Sequence, residues 1–362
     1  MMDSSAKPAA PRPIDGLVYT EDCDPGYHRE RGPDGDFRYR DRAGRLIRHP
    51  GVLGRIRALA IPPAYEDVWI CARADGHLQA TGRDARGRKQ YIYHTDWIAQ
   101  QDRHKYDQLS EFGAALVRIR RRIRRDLALP GLPKERVLAL TVALLDETLI
   151  RIGSPRYARG NGSYGLTTLK RRHVTVSGAR IRLQFRGKSG VEHDVTVRDR
   201  RLARLLRRCL DLPGQRLFKY HDERGARHRV DSTAVNAYLQ EITGFDISAK
   251  HFRTWGGSVM ALELLNHAQS PSGQRARERL VNEAMKTVAR RLGNTVSVCR
   301  KCYVHPAVVS AYLQGWIPRR WPAPPGPRGL SAAERRLLEF LAQAGEPPPE
   351  QGCRSDGANG ET

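Results

Sequence analysis

Apolar positions change their period once along the chain, near Trp97. From Gly16 to about Trp97 the text alternates as strands do, side chains pointing to opposite faces in turn. Phe37–Arg40 and Arg45–Arg48 flank Asp41–Gly44 and predict a hairpin. Asp67–Cys71 and His77–Ala80 predict a second strand pair around Ala74–Gly76. In the next segment Tyr91 and Tyr93 share one face, opposite Gln90 and Ile92. Beyond Trp97 the period is helical. Arg118–Arg125 holds six arginines beside Leu116 and Ile119 and predicts a solvated basic helix. Lys134–Ile150 predicts an apolar helix with Val137, Leu138, Val142, Leu145 and Leu149 inward, and Pro133 suits its start. His173–Val176, Arg180–Phe185 and His193–Val197 predict a β-meander. Asp199–Cys209, Ser232–Ile242, Phe252–Leu265 and Ala276–Leu292 predict further helices, followed past Trp316 by a Pro-rich stretch and one short charged helix, Ala332–Ala344. The expected class is α+β. A tail without regular structure covers 1–15, a β-rich domain 16–97, a mainly helical domain with a small meander 98–316, and a linker and tail 317–362.

The length of 362 residues allows two such domains. The formal net charge of +24 points to a polyanion, nucleic acid first, while a merely basic enzyme or a peripheral binder of anionic membranes also satisfies it. No run of about 18 apolar residues predicts a membrane span, and Met1–Pro13 lacks the apolar stretch of a signal peptide. The six cysteines do not make a disulfide framework, and the Cys299/Cys302 pair has no second Cys/His pair near it, so no zinc is expected. No phosphate-cradling G-x-x-x-x-G-K-[ST] loop occurs. Arg outnumbers Lys 53 to 10. In such a chain a Lys is either drift, the commoner case for any single one, or stands where Arg would not do because Arg keeps its proton. Lys89, Lys188 and Lys250 are candidates on that ground.

Basic and aromatic side chains interleave at the end of the β-rich domain: Arg83, Arg86, Arg88, Lys89, Tyr91 and Tyr93. Such a strand suits a DNA groove, with cations on phosphates and Gln90 or the tyrosines on base edges. It also suits an ordinary solvated strand. In the helical domain Arg151 follows the apolar helix, Lys188 sits at the tip of a Gly-flanked turn, Arg253 lies near the start of a helix, and Tyr303 ends a basic stretch. Taken singly, an Arg after a helix is a cap or a salt bridge, and a Tyr is packing.

Taken together, six segments carry a resemblance: Gly82–His94, Leu149–Gly153, Gly165–Leu169, Phe185–Gly190, Lys250–Gly256 and Leu292–Tyr303. In this order and spacing the chain resembles the type IB DNA topoisomerases of the bacterial and poxvirus-like branch, over about residues 16–316. The resemblance implies two lobes closing on double-stranded DNA, and relaxation of supercoils by cutting and rejoining one strand. It makes Tyr303 the nucleophile that forms a 3′-phosphotyrosyl link. Arg151 and Arg253 brace the scissile phosphate, Lys188 protonates the departing 5′-oxygen, and Lys250 is a further basic residue of the site. Gln90, Tyr91, Tyr93 and Tyr157 fall where the family touches DNA, and Arg83 and Lys89 join them as DNA-binding candidates from the basic–aromatic pattern alone. The covalent link conserves the phosphodiester energy, so neither ATP nor another cofactor is implied, and with Arg and Lys supplying charge no metal is implied. A monomer working on the nucleoid in the cytoplasm is expected. One position departs: where the family often has His, nine residues before the nucleophile, this chain has Asn294, which either donates to a phosphoryl oxygen or braces its loop.

Two other readings fit parts of the pattern. Tyrosine recombinases share the constellation, but typically carry His where this chain has Lys250 and lack the 82–94 segment. A non-catalytic nucleic-acid-coating protein satisfies the charge, but leaves Arg151, Lys188, Arg253 and Tyr303 unexplained. The charge predicts that DNA affinity falls log-linearly with salt, by a slope of about −0.9 per phosphate neutralised. Titrating a labelled duplex at several salt concentrations checks this, and a salt-independent constant contradicts it.

Overall fold

The computed structural model describes residues 16–268, 271–317 and 320–344, and side chains at 102–105 are outside the description. The expected tail at 1–15 and the end of the chain beyond 344 lie outside the described residues. The chain divides into two compact units, Met1–Lys105 and Tyr106–Thr362.

The first unit is an antiparallel sheet built from β1 (Gly26–Arg31), β2 (Phe37–Arg40), β3 (Glu66–Cys71), β4 (Leu78–Arg83) and β5 (Lys89–Tyr93), in the order β2-β1-β3-β4-β5. Helix α1 (Pro50–Ala58) lays Ile56 on Val68, Ile70 and Ala80. The pair β3–β4 matches the expectation. The first hairpin does not. Its turn forms, with Asp41 Oδ1 accepting from the Ala43 and Arg45 N–H groups at 2.9 Å, but the return strand shrinks to a single bridge, Arg40–Leu46. The main partner of β2 is β1. Strand β1 escapes a hydrophobicity pattern because it is almost wholly polar. It is held instead by the Arg40–Glu30 ion pair at 2.6 Å, by Arg29 stacked 4.1 Å over Phe37, and by Arg29 reaching the Tyr65 carbonyl at 2.6 Å. Edge strand β5 turns Lys89, Tyr91 and Tyr93 outward and half-buries Gln90 and Ile92, the alternation expected of it.

The second unit takes in most of α2 (Thr95–Asp126), which begins in the first unit, and continues with α3 (Lys134–Thr148) and α4 (Pro155–Gly160). Strands β6 (Val174–Ser177), β7 (Arg180–Arg186) and β8 (Glu192–Arg198) form the expected meander in the order β6-β7-β8. Then follow α5 (Arg200–Asp211), a ribbon of β9 (Lys219–His221) and β10 (Arg227–Arg229), α6 (Ser232–Thr243), α7 (Ala249–His267), α8 (Gln274–Leu292), α9 (Val296–Cys302), α10 (Pro306–Gln314) and α11 (Ala332–Ala344). Asp199 and Asp231 cap α5 and α6 by accepting from the N–H groups of Leu202 and Ala234 at 2.8 Å. Helix α3 lies in the core, with Val137, Leu144 and Leu145 excluded from water. Every side chain expected to face inward from α5 does so: Leu202, Leu205, Leu206 and Cys209.

Two expectations need correction. The 118–125 stretch is not simply solvated. Arg120 sits between Asp146 (2.7 Å) and Glu334 (2.8 Å), and Arg122 pairs with the buried Asp126 at 2.6 Å. The run looks like surface in sequence because the carboxylates that enclose Arg120 (Asp146 and Glu334) lie 26 and 214 positions farther along the chain. Beyond Trp316 the expected helix at Ala332–Ala344 forms, but it belongs to the main core and not to a tail. Helix α11 buries Leu337, Phe340 and Leu341 in the main core, and its Glu334 also accepts from Trp255 Nε1 at 3.3 Å. Burial alone would push the Glu334 carboxyl up, but Arg120 and the Ser331 N–H outweigh it and hold it below the ordinary 4.5.

That sign sets a pH window. A carboxyl held low in the folded state contributes stability above its unfolded value, and the contribution fades as pH falls through the folded one. Glu334→Gln is therefore expected to cost roughly 1–3 kcal/mol at pH 7. The gap to wild type should narrow below about pH 4.5. Thermal melts of both proteins across pH 3–7 check this, and a gap that is constant with pH contradicts it.

Candidate active site

The ends of α3, α7, α8 and α9 meet the β7–β8 turn, and the site is built from how closely these backbones approach. Helix α3 stops at Leu149, whose φ of 56° is left-handed, rare for a branched side chain and worth a cause. The cause is packing: a Cβ on Gly256 of α7 would lie 2.5 Å from Leu149 Cδ1, so α7 leaves that space to the leucine. The chain then runs as an extended segment against 165–167. The Leu166 N–H donates to the Arg151 carbonyl and the Thr167 N–H to the Ile152 carbonyl, both at 2.8 Å. A side chain on Gly165 would strike the Arg151 carbonyl at 2.5 Å. The resembling segments Leu149–Gly153 and Gly165–Leu169 are thus one physical unit that fixes the Arg151 backbone.

Arg151 points to the loop after α8. Its guanidinium donates to the Gly293 carbonyl at 3.2 Å and, through a short hydrogen bond, to Asn294 Oδ1. A guanidinium only donates, so the Asn294 amide is oriented with its oxygen toward Arg151. Its Nδ2 is buried without a well-formed partner and leans on the Cys299 thiol, which burial pushes up. Arg253 is 3% exposed. It donates to the carbonyls of Leu149 and, at 2.8 Å, Leu292, while its buried Nε has no partner. Its guanidinium carbon stands 4.8 Å from the centre of the Tyr303 ring and its charge reaches the phenol oxygen. Burial first, then Arg151, lower its hold on its proton, but a guanidinium stays charged.

Tyr303 caps α9, its N–H bonded to the Cys299 carbonyl at 2.9 Å. Gly257 lets α7 pass its carbonyl, since a Cβ there would lie 2.6 Å from that oxygen. From α2, Tyr106 Oη donates to the Lys301 carbonyl at 3.0 Å and steadies the same turn. Tyr303, Arg151, Arg253 and Asn294 therefore form one cluster. Lys188 is exposed on the turn between β7 and β8, and Lys250 is exposed on α7 one helical turn before Arg253. The residues expected to touch DNA do not belong to this cluster. In the first unit Arg83 pairs with Asp67 at 3.2 Å, Lys89 pairs with Asp22, and Gln90 donates to Asp84 at 2.9 Å, whereas Tyr91 (51% exposed) and Tyr93 stack face to face. Tyr157 is exposed on α4.

Sequence reasoning missed His193 of β8. Its ring stacks on Phe185 at 4.8 Å and lies near Arg151 and Arg253. Burial, then those two charges, hold its pKa below the ordinary histidine value, so it is neutral at pH 7. Its place five residues after Lys188, across a tight hairpin, was the available signal.

Residues 90–315 match the family model of the eukaryotic DNA topoisomerase I catalytic core, and residues 36–84 that of the bacterial DNA topoisomerase IB N-terminal domain. The chain belongs to the type IB DNA topoisomerases. It is 33% identical over 257 residues to DNA topoisomerase 1B of Acanthamoeba polyphaga mimivirus, a match covering 69% of this chain and 76% of the viral one. It is 26% identical to DNA topoisomerase I of monkeypox virus and 25% to DNA topoisomerase 1B of vaccinia virus (strain Western Reserve). Both matches run over 244 residues and cover 66% of this chain and 73% of the relative. Among the described residues of the enzyme no helix is long and apolar enough to cross a membrane.

Because Asn294 accepts from Arg151 and sets its direction, Asn294→Ala is expected to slow single-turnover strand cleavage by up to about 10²-fold through misplacement of Arg151, with DNA affinity little changed. Asn294→His should keep substantial activity and add a titration near the ordinary histidine pKa of about 6.5. Cleavage rates against pH for the three proteins check both, and an alanine variant as fast as wild type at every pH would leave Asn294 as scaffold.

Proposed function

We propose that this enzyme relaxes supercoiled duplex DNA through a Tyr303–DNA link, with the clustered cations as its catalytic apparatus. Tyr303 Oη attacks a backbone phosphorus, the bond to the 5′-oxygen breaks, and a 3′-phosphotyrosyl ester forms. The free end swivels. Its 5′-hydroxyl then attacks the ester, rejoins the strand and returns Tyr303. One phosphodiester is exchanged for another, so the cycle needs no ATP. Splitting the exchange into two steps is what a covalent nucleophile provides.

The observation that carries this reading is the stacking of Arg253 on Tyr303, with Arg151 beside it and only neutral acceptors between them. Negative charge grows on the phosphoryl oxygens and is shared with the phenol oxygen as attack proceeds. Guanidiniums already fixed to the backbone meet that charge without reorganising. Asn294 sets the direction of Arg151. Lys188 on its exposed turn donates the proton that the leaving 5′-oxygen requires, and Lys250 adds charge at the start of α7. Tyr91, Tyr93 and Tyr157 contact the duplex, with Arg83, Lys89 and Gln90 in support once DNA competes for their present partners. The working divisions are the β-rich 16–97 and the helical 98–316. A single copy carries every residue named, which supports a monomer acting on the nucleoid.

The test is a supercoiled plasmid carrying no recombination site, incubated with EDTA and without ATP. The wild type is expected to give a ladder of relaxed forms, and denaturation in SDS should trap covalent adducts. Tyr303→Phe should bind DNA as wild type does, since phosphate contacts dominate affinity, and give neither ladder nor adduct. Adducts from the phenylalanine variant at the wild-type yield overturn the assignment.

A further inference from the structure

The His193 ring occupies a gap between two loops of the site. On one side is the turn that carries Lys188: a Cβ on Gly187 would lie 2.7 Å from the imidazole Cδ2 and Nε2. On the other is the loop that holds Arg151: a Cβ on Gly293 would lie 2.5 Å from Cε1. Behind it the ring is stacked on Phe185, its register partner across the hairpin, with planes 11° apart. Gly293 has φ 59° and ends α8 in the left-handed region, so its glycine has a conformational reason. Gly187 has none. Its φ is −94° and ψ −165°, open to any residue. What glycine supplies at 187 is space, and the imidazole fills it. Being neutral, the ring sits beside Arg151 and Arg253 without adding to their repulsion.

We propose that His193 is a positioning residue: its ring spaces the Lys188 turn from the Gly293–Asn294 loop, so that the proton donor and the Arg151 brace engage the same phosphodiester. The inference rests on the roles proposed above for Lys188 and Arg151. Nothing in it requires the imidazole to touch DNA. Its loss should be felt mainly through the leaving group, because the Gly293–Asn294 loop is also tied to α8 by the Asn294 N–H on the Ala289 carbonyl at 3.0 Å, while the exposed Lys188 turn leans on the ring.

The experiment is single-turnover cleavage of a duplex with one cleavage site, made with either oxygen or sulfur bridging to the 5′-carbon. A thiolate leaves without a proton, so the sulfur substrate bypasses the acid. Lys188→Ala is the control and should be slow on oxygen and near wild type on sulfur. His193→Ala is expected to be slowed up to about 10²-fold on oxygen, the scale of an ångström-level misplacement, and by much less on sulfur. Gly187→Ala, which forces a methyl into the ring, should behave likewise. The double variant should be no slower than His193→Ala, because the methyl then enters vacated space.

The inference is overturned if His193→Ala matches wild type on oxygen. It is overturned too if that variant is slowed equally on both substrates while Lys188→Ala is rescued by sulfur. It also falls if the Gly187 and His193 defects multiply. If Lys188→Ala itself is not rescued, the acid role of Lys188 fails and the spacing role falls with it, which the control makes visible. Should His193→Ala not fold, Gly187→Ala read on the two substrates decides, since it keeps the histidine and displaces it.

Discussion

The site depends on two guanidiniums held close together with no carboxylate between them. Arg151 and Arg253 each lower the cost of an anion nearby and raise the energy of the other. The described contacts offset this only with dipoles: the carbonyls of Leu149, Leu292 and Gly293 and the amide oxygen of Asn294. Elsewhere the same residue type is neutralised, as at Arg120 with Asp146 and Glu334, Arg122 with Asp126, and Arg182 with Asp194. In a chain with 53 arginines the distinction is electrostatic. Arginines bonded only to carbonyls also serve as structure here, as Arg29 does on Pro62 and Tyr65 and Arg335 on Pro324 and Leu330, so what sets Arg151 and Arg253 apart is that they stand together, unneutralised, beside Tyr303.

Carbonyls can serve because the backbones carrying them come within van der Waals reach. That reach is set by side chains that are not there. Gly165 admits the Arg151 carbonyl, Gly256 admits Leu149, and Gly257 admits the Tyr303 carbonyl. Alanine at any of these would force apart the backbones that hold Arg151, Leu149 and Tyr303, since its Cβ would lie within 2.6 Å of those residues. The stretch that the family resemblance rests on is therefore partly chemistry and partly clearance.

Helix α7 carries Arg253 and Trp255 within one turn but roughly 200° apart around its axis, and Trp255 is tied to α11 through Glu334. The charged network of Arg120, Asp146 and Glu334 thus lies on the side of α7 away from Tyr303. It is costly to desolvate and does not by itself stabilise the fold greatly. What it gives is a defined seat for α7 on α2, α3 and α11.

The local periodicities were legible in the chain: the β3–β4 pair, the meander, and the amphipathic faces of α3 and α5 all follow from hydrophobic spacing, because burial there is decided within one element. The nearness of Tyr303, Arg151 and Arg253 also followed the spacing of their motifs, while Lys188 stands exposed on its turn outside that cluster. The polar strand β1 and the burial of Arg120 and Glu334 were not legible. Strand β1 is held by an ion pair and ring stacking that a hydrophobicity pattern does not register, and Arg120 and Glu334 by each other across 214 positions. The orientation of Asn294 toward Arg151 and the seat of His193 between Gly187 and Gly293 were also decided only in three dimensions. A hydrogen bond or a wedge has direction, and direction at a site belongs to the packing of several backbones, which one-dimensional order cannot encode locally.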